Sequence, residues 1–96
     1  MTTETQTEEW TVTIVTARDG EEPRASTHAC YVERWPGAVV RPEADRRAEA
    51  VLGAVNRQHG PGAIVEGGMI VRADSMRPHG ARHVLAHLVS AEAAPR

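Results

Sequence analysis

Residues 42 to 59 read PEADRRAEAVLGAVNRQH, and the rest of the chain takes its place from that stretch. Pro42 suits a first helical position, where the missing N–H would have had no partner in any case. Glu43 and Asp45 place negative charge in the first turn, and Arg57 and His59 place positive charge in the last, as the helix dipole favours. Gly60-Pro61-Gly62 supplies a left-handed stop and forbids continuation. Ala44, Ala48, Val51, Leu52 and Val55 recur at steps of three and four, which predicts a helix with that stripe against a core. Arg46, Arg47, Glu49 and Arg57 fall mostly off the stripe and read as solvated.

Upstream, Trp10, Val12 and Ile14 alternate with Thr11 and Thr13, the period of a half-buried strand. A polar connection holding Asp19-Gly20 leads to a second strand over 24–35, the expected hairpin partner of the first. Trp35-Pro36-Gly37 reads as a turn, and residues 38–41 as a short optional third strand. Downstream, residues 63–72 are strand-like around Gly67-Gly68, which reads as a tight hairpin in preference to a bulge in one long strand. Asp74 or Ser75 then caps a second expected helix, reaching Glu92 with Ala81, Val84, Leu85, Leu88 and Val89 as its apolar stripe. The resulting order is β-β-(β)-α-β-(β)-α. It predicts an α+β domain with a mostly antiparallel sheet and two helices packed on one face. Residues 1–9 read as a disordered tail, 10–92 as a single domain and 93–96 as a frayed end.

Ninety-six residues make one domain, and its supply of large aliphatics is small: 11 Val, 3 Ile and 3 Leu, with no Phe. A net charge of −2 argues against disorder and gives no general drive towards nucleic acid. A folded domain with so thin a core is expected to complete itself by pairing with a second copy. All 11 basic residues are Arg, which GC-rich codon usage explains before any functional preference does. Cys30 is the single cysteine, so no internal disulfide exists and a reducing, cytoplasmic setting is expected. The polar N-terminal run shows neither a signal peptide nor a membrane span.

Three groups of residues could carry chemistry. His28 and Cys30 are two apart on a strand and point the same way, as a thiol and its base or two metal ligands would. A buried structural Cys is the simpler reading. His79, His83 and His87 stand at helical spacing, with His83 and His87 the nearest to a metal pair, yet no further ligand accompanies them and no cofactor is expected. Arg77, His79, Gly80, Arg82 and His83 gather at the expected start of the second helix, where free N–H groups and guanidinium groups would suit a carboxylate or phosphate.

On these residues the leading expectation is a small binding or accessory module that forms a homodimer, with Tyr31 and Trp35 at the interface. The alternative is a small enzyme or ligand-binding protein for an anionic metabolite or peptide, working between sheet and second helix. His28, Tyr31 and His79 are then its acid–base candidates. A third reading, RNA binding with Tyr31 and Trp35 stacking bases, has too few aromatics and the wrong charge.

Overall fold

The computed structural model describes residues 6–16, 20–35, 39–73 and 82–95. Strands β1 (Gln6–Thr16) and β2 (Arg24–Trp35) form a long antiparallel hairpin in which Trp10 faces Cys30, Val12 faces His28 and Ile14 faces Ser26. The alternation predicted for Trp10, Val12 and Ile14 is the one observed, with all three fully buried. β1 starts at Gln6, so residues 6–9 of the expected tail are paired with β2 instead. Ala93 likewise belongs to a strand, and the Ala94 N–H donates to the Glu9 carbonyl.

Helix α1 (Glu43–His59) begins one residue later than predicted, because Pro42 is the extended N-cap and not the first helical residue, and it ends as predicted at Gly60, φ 78°. The residues it buries are Ala50, Val51, Ala54 and Val55. Only Val51 and Val55 of the five-residue predicted stripe are core: Ala44, Ala48 and Leu52 are exposed on the flank of the helix that faces Ile64 and Val65. No strand occupies residues 39–42, which correct the optional third strand as far as the described residues reach. Strands β3 (Ala63–Glu66) and β4 (Met69–Ala73) form the expected hairpin, with Gly67 and Gly68 both at positive φ, as a two-residue primed turn requires.

The second helix does not exist over residues 82–93. That segment is strand β5 (Arg82–Ala93), paired with β1 on one side and β4 on the other. The described residues therefore form a five-stranded antiparallel sheet of order β2-β1-β5-β4-β3 with one helix. α1 leaves the sheet at one edge strand and returns the chain at the opposite edge, lying across a single face. Beneath it Trp10, Val12, Ile14, Cys30, Val32, Ala63, Ile70 and Ala86 complete the core, with Leu85, Leu88 and Ala91 packed at its border. No described helix is long and apolar enough to cross a membrane.

Gly53 lies inside α1, where glycine weakens a helix by its extra freedom in the unfolded chain. A methyl group at this position would meet only Cys30 Sγ, at an ordinary 3.8 Å. Gly53→Ala is therefore expected to raise stability by roughly 0.5–1 kcal/mol, read as a higher urea midpoint with an unchanged slope.

Candidate functional site

The sequence candidates do not converge. His28 and Cys30 do share the inward face of β2, but each is engaged structurally. Gln58 donates its amide N–H to Thr16 Oγ1 at 2.9 Å, so its oxygen accepts at 2.8 Å from His28 Nε2. The last turn of α1 is thereby tied to the end of β1 and to the interior of β2. Cys30 is 4% exposed inside the core. Tyr31 stands 70% exposed on the opposite face of the sheet. Trp35 is half-buried, with the Arg34 guanidinium 5.2 Å from its ring centre.

Arg77, His79 and Gly80 lie outside the described residues, and Arg82 is described only as the first residue of β5. Of the expected anion cluster only Arg82 and His83 are described, and both belong to β5 and not to a helix. His83 and His87 are also separated. His83 pairs with Arg72, whose side chain reaches in to the His59 carbonyl, whereas His87 follows the inward Ala86 and faces outward. The irregularity between Ile70 and Val71 shifts the register between the two histidines. Among the described residues, no three His, Cys, Asp or Glu are grouped to hold a metal ion.

Sequence reasoning missed the most strongly coupled charge, Glu8. Its side chain is 8% exposed and accepts from Trp10 Nε1 at 2.6 Å and from Arg46 Nη1. Arg34 Nε lies 3.5 Å from its other oxygen. Burial by itself would raise the Glu8 pKa, but the Trp10 and Arg46 hydrogen bonds and the charges of Arg46 and Arg34 together hold it below the usual carboxylate value. The group ties the start of α1 to β1 and β2. Arg41 reinforces the same corner by donating to the Glu33 carbonyl at 2.9 Å and to Glu49 at 3.2 Å. Its only sequence signal was one acidic residue in phase with Trp10, Val12 and Ile14.

At the other end of α1, burial chiefly, with Arg72 and His28 nearby, lowers the His59 pKa. Its Nε2 is buried without a hydrogen-bond partner. Both clusters hold the helix on the sheet, and none of Glu8, Arg34, Arg46 or His59 lines the groove between α1 and the β3–β4 hairpin.

Two features remain that the fold does not use. The first comes from unequal strand lengths. β5 has 12 residues, whereas β4 has 5 and β3 has 4. β4 pairs with β5 only as far as His87, with one further bond from the Leu88 N–H to the Gly68 carbonyl. Because the Ala94 N–H points to Glu9, ladder alternation turns Glu92 and Ser90 towards β1 as well. Ala91 and Ala93 then direct their N–H and C=O groups to the opposite side, beyond the tip of the β3–β4 hairpin. The second feature is a groove of 470 Å³ on the same side, between the α1 flank and the hairpin. Ala44, Arg47, Ala48, Val51 and Leu52 line it from the helix, and Ile64, Val65 and Leu88 from the strands.

Neither a protein-family model nor a curated protein nor a solved structure matches this chain.

Glu8→Gln removes the carboxylate that pairs with Arg34 and Arg46 in that corner and is expected to cost about 2 kcal/mol, the range for a hydrogen bond to a charged group. Because the folded-state pKa of Glu8 is depressed, its contribution is complete above the unfolded value of 4.5 and is lost as pH falls through the folded value. Chemical denaturation from pH 7 to 3 should show the variant losing less stability than the parent. For His59 the depressed pKa also acts upward: stability is full above 6.5 and declines below it, and His59→Gln should flatten that decline.

Proposed function

We propose that this chain is an interaction module that works as a homodimer, joining two copies through the open part of β5. The observation carrying this reading is the stretch of β5 at Ala91 and Ala93, which no described strand pairs on the side away from β1. A strand edge left open in this way is a template for pairing with another chain. Pairing two copies about a twofold axis sets Ala91 opposite Ala91 and Ser90 opposite Glu92, so no like charges meet directly. Small side chains at 90, 91 and 93 leave room for the approach. The thin core gives the same direction, since Trp10 is the single large aromatic among the buried residues and burial of further surface would add stability.

The outer face of the sheet is a poorer surface for RNA. Tyr31 lies directly opposite Glu9, with Glu33 and Glu92 on the same face. Those carboxylates would repel a phosphate backbone.

Ala91→Pro tests the proposal, because proline lacks the N–H that a partner strand would need. At residue 91 that N–H points away from β1, so the internal ladder is preserved, and a proline is tolerated on an edge of this kind. Sedimentation at micromolar concentration is expected to give twice 10.4 kDa for the parent and 10.4 kDa for Ala91→Pro, with matching circular dichroism. Glu92→Pro, which breaks a bond to β1, should unfold instead. A parent that stays monomeric with the same midpoint over about a hundredfold dilution refutes the dimer.

A further inference from the structure

We infer that the groove between α1 and the β3–β4 hairpin binds a single-chain aliphatic carboxylate, with Arg47 holding the head group. The groove reflects a mismatch in the fold. Ala44, Ala48 and Leu52 carry the spacing of a core-facing stripe, yet the short hairpin stops before it can cover them. Leu52 is left 51% exposed, Ile64 46% and Val65 37%, all around one concavity. Its volume of 470 Å³ falls within the range of small-molecule sites, and an apolar lining with one charged group is the usual composition of such sites.

Charge selects among possible occupants. No ion pair among the described residues engages Arg47, whereas Arg34, Arg41 and Arg46 all have acidic partners. A helical side chain leans towards the N-terminus of its helix, so the guanidinium stands at the Ala44 end. The apolar residues extend from there to Leu52, a distance of about 12 Å at 1.5 Å per residue. A zigzag carbon chain of that length has roughly ten carbons. The ligand is then an acid with its carboxylate on Arg47 in a bidentate pair and its tail over Val51, Leu52, Ile64 and Leu88. Glu43 and Asp45 occupy the same first turn, so anion selectivity rests on Arg47 and not on the helix terminus.

The site does not depend on dimer formation, and the Ala91→Pro protein carries the test separately from it. Calorimetric titration with decanoate below its micelle concentration is expected to give one bound acid per chain. Octanoate should bind about fifteenfold more weakly, at roughly fourfold per methylene. Decanol, which lacks the charge, should bind less well than decanoate. Arg47→Gln should remove that preference while leaving decanol binding unchanged, and Leu52→Asp should weaken both. Absence of decanoate binding by the folded parent overturns the proposal, as does equal decanoate binding by Arg47→Gln. If the parent takes up no acid and Leu52→Asp dissociates a dimer, the groove is a contact between copies and the ligand reading fails.

Discussion

The fold depends on the contact between the inward face of β1 and the small-residue face of α1. Trp10, Val12 and Ile14 present three large side chains in a row, and Ala50 and Ala54 are the residues that let the helix approach them. β1 is also the strand with the long partners on both sides, β2 and β5. Removing it would separate the sheet and strip the helix of its support. A core whose buried side chains, among the described residues, include neither Phe nor Leu tolerates little loss, because deleting even a few buried methylenes costs kilocalories against a net stability of about 5–15 kcal/mol.

Charged groups decide where along the sheet the helix sits. Glu8 fixes its beginning through Arg46, and the Thr16–Gln58–His28 chain fixes its end. Arg57 and Arg72 add bonds from its last turn to the Ala29 carbonyl and from β4 to the His59 carbonyl. An apolar contact among Val and Ala side chains is nearly featureless and would permit sliding by a turn. Directional bonds at both ends remove that freedom. The ionisable residues that looked catalytic in the sequence, His28 above all, are absorbed by this positioning.

A helix crossing from one edge of the sheet to the other must span five strands, but the hairpin returning on the far side is too short to match it. The long half of the sheet, β2-β1-β5, and the short half, β4-β3, therefore meet at a step. Both unused features lie at that step: the β5 backbone at Ala91 and Ala93, left without a partner among the described strands on one side, and the apolar groove under the first half of α1. Their adjacency follows from one cause, the difference between 12 and 5 residues in neighbouring strands.

The sequence by itself determined α1, its glycine stop and charge order, the alternation of β1, and the Gly67-Gly68 hairpin. Each rests on local rules: dipole and capping at a helix end, period two in a half-buried strand, positive φ in a two-residue turn. Tertiary structure decided the rest. Val84, Leu85, Leu88 and Val89 recur at helical spacing, yet β5 carries register shifts on both sides, one facing Ile70/Val71 and one facing Thr13/Ile14. Each shift inserts an extra residue and turns a period of two into an apparent three or four. Only pairing with β1 and β4 reveals it as a strand. For the same reason the helical histidine spacing of His83 and His87 dissolved into two faces of a sheet. Ala44, Ala48 and Leu52 failed as core for a different cause: amphipathic spacing states which side of a helix is apolar, not how far the strands beneath it extend.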